Sequence, residues 1–245
     1  MTTRRLYVRE IPGEGDRVIL DGGASRHIRV LRLRVGDTLS LFDGRGREVL
    51  AEVEELGAAG VRCKIGAPVP TALGSIPVTL IQALPKANKM DGIVRMATEL
   101  GVDAVYPVTS HRAVPKVEGT KSEQRVQRWN RIAAEASRQS SRATVPRVHP
   151  IGSLAEVAQG VPVDALRIVF WEEARGAVLS PEWFSDPSSI WLLVGPEGGL
   201  EAGEVEPLLE AGWALSGLGS TVLRVETAGP VALALVMDRL RTRIR

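Results

Sequence analysis

The stretch "IWLLVGPEGGLEAGE", Ile190–Glu204, runs an apolar segment, Ile190–Val194, into Gly195-Pro196-Glu197-Gly198-Gly199 and then into residues able to start a helix. An apolar run of this length, stopped by Gly-Pro, has the boundaries of a buried strand. The closely spaced glycines let the backbone turn sharply or let another group approach it. An ordinary tight turn explains them as well as a ligand does. For a ligand, the spacing limits the choice. No Lys-Ser/Thr follows, as a phosphate-cradling Gly-x-x-x-x-Gly-Lys-Ser/Thr loop requires. Pro196 breaks the Gly-x-Gly-x-x-Gly dinucleotide spacing, and Glu197 would repel a pyrophosphate. These features count against a kinase-like protein or a nucleotide-dependent dehydrogenase. They favour a ligand that is neutral or cationic near the loop and contacts the main chain.

Around this loop, strand-like and helix-like segments alternate from residue 77 onward. "VTLIQAL" (78–84) has the character of a buried strand. Met90, Ile93, Val94, Ala97 and Leu100 recur at helical spacing, and Gly101 is a stop signal. "AVYPVTS" (104–110) is strand-like, with Pro107 marking an edge or an interruption. "TKSE" (Thr120–Glu123) has the form of a capping box, and the helix after it places Val126, Trp129, Ile132, Ala133 and Ala136 on one side. "LRIVFWEE" and "SIWLLVGP" are two further strands, and "ETAGPVALALVMDRLR" a final helix with little polar surface. Such alternation predicts an α/β domain, a parallel sheet covered by helices. Residues 4–68 differ: short runs separated by turn signals, with a hairpin signature in "FDGRGRE", predict a small β-barrel. A basic helical segment, Ser25–Leu33, interrupts them, and Ala67–Pro77 has the composition of a linker. The expected domains are therefore 1–70 and 77–245.

The chain has 245 residues, 44% of them hydrophobic, enough to bury a core. A single cysteine, Cys63, excludes an intramolecular disulfide and a cysteine-based zinc site. His111 and His149 lack ligand spacing, so no metal is expected, and His27, in a basic stretch, is assigned a structural role. The N-terminus has no signal-peptide core, and no apolar run approaches the roughly 20 residues needed to span a bilayer. These features predict a soluble cytoplasmic protein without membrane association. Residues 71–147 carry 12 basic and 6 acidic side chains, whereas residues 148–245 carry 7 and 13. A basic middle suits a polyanionic partner, although solvated faces produce charge runs too.

A second glycine-punctuated loop, "LGSTVLRVETAG" (Leu218–Gly229), leads into the last helix. "VGPEGGLEAGE" followed by "LGSTVLRVETA" resembles the RsmE-type branch of the SPOUT methyltransferases. The resemblance extends to "HIRVLRLRVGDTLSLFDGRG", "ATELGVDAVYPVTSHR" and "AAEASRQSSRATVPRV", and so spans nearly the whole chain. It implies an N-terminal PUA-like RNA-binding β-barrel and a C-terminal SPOUT α/β domain with a trefoil knot, which also serves dimerisation. It implies transfer of a methyl group from S-adenosylmethionine to N3 of a uridine in 16S ribosomal RNA, within the small subunit, by a homodimer. A catalytically inactive rRNA-binding or ribosome-assembly protein of the same fold is the alternative.

Carried over by residue, the resemblance places the cofactor against Val194, Gly195, Pro196, Glu197, Gly198 and Gly199, and against Leu218, Gly219, Leu223 and Arg224, with Glu172 in a third wall. Leu193, Leu218 and Leu223 are candidates for the apolar surface an adenine needs. Arg224 is the candidate for stabilising charge on the uracil. Glu226 is a candidate to orient it or accept a proton, or else an ion-pair partner or helix cap. The candidate RNA contacts are Arg26, Arg29, Arg32, Arg34, Arg112, Arg138 and Arg142. Favourable placement of cations at helix C-termini is the competing explanation for several of them. The apolar last helix is expected to be partly buried in the homodimer.

Overall fold

The structure is a computed structural model describing residues 4–69, 76–112, 119–140 and 142–243. Most of the expected linker and the side chain of His27 lie outside the described residues. The contacts divide the chain into two compact units: Met1–Gly74 with Ser137–Val145, and Ser75–Ala136 with Pro146–Arg245. Among the described residues, no helix is long and apolar enough to cross a membrane.

The first unit contains β1 (Arg5–Tyr7), β2 (Arg17–Leu20), α1 (Gly22–Val30), β3 (Thr38–Phe42), β4 (Glu48–Leu56) and β5 (Val61–Pro68). They form one sheet in the order β1-β3-β4-β5-β2. The β1–β3 pair is parallel and the others antiparallel. Strand alternation builds its core: Val49, Ala51 and Val53 of β4 point inward, as do Val61, Cys63 and Ile65 of β5, while Glu52, Arg62 and Lys64 face out. Leucines from β1, β2 and β3 and Ile28 of α1 join the same cluster, so the sheet wraps around a single core. Cys63 is fully buried, and burial foremost, then the Glu54 charge, pushes its thiol up to about 11.

The "FDGRGRE" connection is a five-residue loop, 43–47, rather than a two-residue turn. The Asp43 carboxylate accepts the N–H groups of Arg45 (2.7 Å) and Arg47 (3.2 Å), and Gly44 and Gly46 have φ of 72° and 100°. Thr144 bridges to Gly44 and Arg45, which explains why residues 137–145 belong to this unit.

The second unit contains β6 (Val78–Ala83), α2 (Lys89–Leu100), β7 (Ala104–Thr109), most of α3 (Thr120–Gln139), β8 (Arg147–Val148), β9 (Gly152–Ser153), α4 (Leu154–Gln159), β10 (Leu166–Phe170), β11 (Ile190–Val194), α5 (Ala202–Glu210), β12 (Ala214–Ser216) and α6 (Val225–Arg243). All pairings in its sheet are parallel, in the order β12-β10-β11-β6-β7-β8. Helices cover both faces. Ile81, Val169 and Leu193 pack with Leu154 of α4 and Val205 and Leu208 of α5. On the other face α6 packs against α2 and β6: a Cβ on Gly229 would lie 3.6 Å from Ile93 and 3.7 Å from Leu80. From β6 the chain moves to β7 and β8, yet β11, β10 and β12 lie on the opposite side. The β6–β11 pair is thus the topological switch point, where open α/β sheets bind ligands beyond the carboxyl ends of their strands.

Local signals are obeyed with some changes. Gly101 ends α2 with φ 113°, donating its N–H to Ala97 and Thr98 carbonyls at 3.1 Å. Thr120 is itself the first helical residue of α3; the Gly119 carbonyl accepts from Ser122 and Glu123. Pro107 lies inside the sheet, not on an edge. β6 pairs with it in register, but on its other side β8 pairs only at Ala104–Val105 and β9 only at Val108–Thr109, so an interruption falls at the proline.

One buried ion pair anchors the first unit. Arg5 and Glu48, each 8% exposed, are bidentate, with Nε donating to Oε1 at 2.8 Å; Ser40 also donates to Glu48, and the guanidinium lies 4.5 Å over the Phe42 ring. Burial pushes the Glu48 carboxyl upward, but hydrogen bonds from Arg5 and Ser40 and the Arg5 charge outweigh it and hold the group below its usual 4.5. A depressed folded-state pKa contributes stability above the unfolded value that is lost as pH falls through the folded one. Wild-type stability should therefore decline on acidification below pH 4.5. Glu48→Gln should cost about 3 kcal/mol at neutral pH by leaving Arg5 buried without its counter-charge. Denaturant unfolding across pH, followed for both proteins, measures both effects.

Candidate functional site

The loops at the carboxyl ends of β10, β11 and β12 enclose a cavity of about 450 Å³ with the N-termini of α2 and α6. All the proposed cofactor positions line it: Val194 to Gly199, Leu218, Gly219, Leu223, Arg224 and Glu172. Leu193 does not; a strand alternates its faces, and Leu193 is fully buried toward α5. Phe170, Trp171 and Val222 supply apolar wall in its place.

Glycine is required here for geometric reasons. The Gly199 N–H closes a turn on the Pro196 carbonyl at 3.0 Å, Gly199 has φ 71°, and a Cβ there would run into the Glu172 carboxylate. A Cβ on Gly198 would meet Arg112 at 3.2 Å. Gly217, just before the second loop, is the most constrained: its N–H bonds the Ala177 carbonyl at 3.0 Å, and a Cβ would lie 2.5 Å from the Ala174 carbonyl oxygen. Beneath the first loop, fully buried Gln82 of β6 donates its amide to the Val194 and Gly195 carbonyls at 3.4 and 3.3 Å.

Charges around the cavity are unevenly committed. Lys89 at the start of α2 pairs with Glu197 (2.9 Å) and Glu226 (3.2 Å). The bond to Glu197 foremost, and that to Glu226, hold Lys89 above its usual pKa despite some burial. Burial pushes Glu197 upward, but the Lys89 bond and main-chain N–H bonds, including that of Lys86, bring it below its usual value. Glu226 is lowered first by its own N–H in the opening turn of α6, against burial, and then by the Lys89 bond and charge and the charge of Arg224. Glu226 thus pairs with Lys89, not Arg224, and lies outside the cavity lining. Arg224 and Arg175 line the cavity, are exposed, and form no ion pair among the described residues.

The remaining candidate cations fall in two places. Arg112 binds the glycine loop itself, donating to the Gly198 carbonyl (2.8 Å) and to Glu201 (3.1 Å). Arg26, Arg29, Arg32 and Arg34 are exposed on the first unit, which also takes in Arg138 and Arg142. Arg32, two residues past the end of α1, is in the left-handed region, φ 53°, and Arg29 donates to the Gly57 carbonyl. The sequence pattern gave no role to Lys89, Gln82, Arg175 or Gly217. For Gln82 a signal existed: a polar residue inside an apolar strand is informative where an exposed one is not.

A family model described as the RNA methyltransferase domain matches residues 73–237, and one described as the RNA methyltransferase PUA domain matches residues 20–66. The ribosomal RNA small subunit methyltransferase E of Mycobacterium bovis is 34% identical over 241 residues, covering 96% of this chain and 92% of that protein. Its Bacillus subtilis counterpart is 32% identical over 223 residues, covering 85% and 84%. The structure of the Neisseria gonorrhoeae enzyme of the same name, bound to S-adenosyl methionine, superposes with a TM-score of 0.86 at 31% identity over 96% of this chain and 97% of that one. A Legionella pneumophila methyltransferase structure with the same cofactor gives 0.82 at 26% identity over 97% and 98%. The fold class is the expected one, a PUA-like N-terminal unit and a SPOUT α/β domain with a parallel sheet between helices. On these matches, and with the paired glycine loops around one cavity, the chain belongs to the RsmE-type family of RNA methyltransferases.

Proposed function

We propose that this chain transfers a methyl group from S-adenosylmethionine to N3 of a uridine in small-subunit ribosomal RNA. The observation that carries this is the cavity between the 195–199 and 217–224 loops at the carboxyl ends of parallel strands. The residues fit the cofactor. The volume suits a nucleoside-sized ligand. Crowded glycines leave main chain as the contacting surface, and Leu218, Val222, Leu223 and Phe170 offer apolar wall for an adenine. Bound there, S-adenosylmethionine supplies an electrophilic methyl group on a sulfonium.

The residues then have distinct tasks. Val194–Gly199 and Leu218–Arg224 hold and orient the donor, with Glu172 at the rim; most of the acceleration is alignment. Loss of the N3 proton to solvent would leave negative charge on N3 and the uracil oxygens, and Arg224, in no ion pair among the described residues, would stabilise it; methyl transfer would then form the N3–carbon bond, break the carbon–sulfur bond and release S-adenosylhomocysteine. Glu197 and Glu226 are poor bases, since both are held ionised on Lys89. The first unit grips RNA through phosphates, using Arg26, Arg29, Arg32, Arg34, Arg138 and Arg142, while Arg112 acts beside the glycine loop. The second unit carries cofactor binding, catalysis and dimerisation. Val225, Ala232, Leu233 and Val236 of α6 are already spent on the intramolecular core, but Leu235 remains 44% exposed and fits a homodimer contact.

Labelled methyl transfer to small subunits, with the modified base identified by mass spectrometry, tests the activity; absence of transfer, or modification at another atom, overturns it. Gly217→Ala should weaken S-adenosylmethionine binding at least about tenfold in calorimetry, because backbone must shift to admit the Cβ. Arg224→Ala should lower single-turnover methylation by about 100-fold while leaving rRNA affinity nearly unchanged. Replacing Arg26 and Arg34 together by Ala should flatten the salt dependence of rRNA binding by about one slope unit for each phosphate left without its cation, with cofactor affinity intact. Filter binding across a salt series measures that slope.

A further inference from the structure

The segment between β6 and α2 converges on one acidic side chain of the glycine loop. The Glu197 carboxylate accepts the Lys86 main-chain N–H at 3.0 and 3.1 Å and binds the Lys89 ammonium at 2.9 Å. The next residue, Ala87, is held at φ 56°, a left-handed conformation that costs a non-glycine residue about 1 kcal/mol. A conformation of that kind persists only where its surroundings enforce it. The same ammonium reaches Glu226 in the first turn of α6 at 3.2 Å. Lys89 is therefore the one side chain, among the described residues, ion-paired both to the first glycine loop and to the helix that continues the second.

We infer that Lys89 is a positioning residue, an ionic latch that fixes the separation of the two cofactor loops by holding Glu197 and Glu226 on one nitrogen. This rests on S-adenosylmethionine occupying the cavity between those loops. The ammonium is a compact charge with several donors, suited to bridging two carboxylates. Without it, Glu197 and Glu226 repel one another, Glu197 keeps only main-chain N–H groups, including that of Lys86, as partners, and the cavity wall widens on that side. A purely electrostatic role has the opposite sign. Removing a cation and exposing two carboxylates would favour a ligand bearing a sulfonium, so Lys89→Met would then tighten S-adenosylmethionine without affecting S-adenosylhomocysteine, which lacks that charge.

The test is calorimetric titration of both ligands into wild type, Lys89→Met, Lys89→Arg, Glu197→Gln and the Lys89→Met/Glu197→Gln double variant, each checked for an unchanged melting temperature. The latch requires Lys89→Met to lower affinity for both ligands by the same factor, about tenfold. Lys89→Arg should recover wild-type affinity to within about threefold. The double variant should be no weaker than Lys89→Met alone, because both changes open the same contact. Unchanged affinity in Lys89→Met, a change confined to S-adenosylmethionine, or additive losses in the double variant overturns the latch. Failure of wild type to bind either ligand would instead overturn the assignment of the cavity.

Discussion

The parallel ladder between β6 and β11 is the contact on which the catalytic unit depends. It pairs Val78 with Ile190 and continues to Gln82 and Val194, joining segments far apart in sequence. Because the two strands run the same way, their carboxyl ends emerge side by side. The turn carrying Lys86 and Lys89 therefore meets the turn carrying Glu197 without further design. The reversal of strand order at this pair also leaves a gap between the covering helices, and the cavity lies beyond these strand ends. Gln82 extends the ladder from backbone into side chain, bonding the last carbonyls of β11 from a position water cannot reach.

A site assembled this way has its rigidity distributed unequally. The glycines supply close approach but no stiffness, since they lose the most backbone entropy on ordering. Stiffness comes from neighbours: Gln82 below, the Lys89 pairs on one side, Arg112 on the Gly198 carbonyl on another, and the Ala174 carbonyl against Gly217. The Lys89 ion pairs, partly open to solvent, are worth little alone in water. Their value is geometric, because each constrains main chain that has no side chain of its own to pack.

How much of this was legible in the sequence follows from the range of the interactions involved. Periodicity is local, so β6, α2, β10, β11 and α6 could be placed from "VTLIQAL", "MDGIVRMATELG", "LRIVF", "IWLLV" and "VALALVMDRL" alone. The two glycine loops were conspicuous because clustered glycines are rare in buried elements, and the family resemblance added that they face one another. Leu193 was misplaced because a strand buried on both faces shows no alternation to reveal which side a residue takes. Pro107 was half understood: the missing N–H was foreseen, but the partners β8 and β9, each two residues long, leave no pattern to detect. Lys89, Gly217 and the membership of residues 137–145 in the first unit were silent for a different reason. Each acquires its role from a partner distant in sequence, which propensity cannot encode.

Cys63 has a consequence of another kind. It is the sole cysteine of the chain, wholly enclosed between alternating strands of the first unit, with a thiol raised to about 11. The nucleophilic thiolate is therefore almost absent near neutrality, and no reagent reaches the sulfur while the sheet is closed. Alkylation of the native protein becomes a clock for opening of that unit alone, blind to motion around the cavity of the second unit. The chain thus carries a built-in chemical label that separates breathing of its PUA-like half from breathing of its catalytic half.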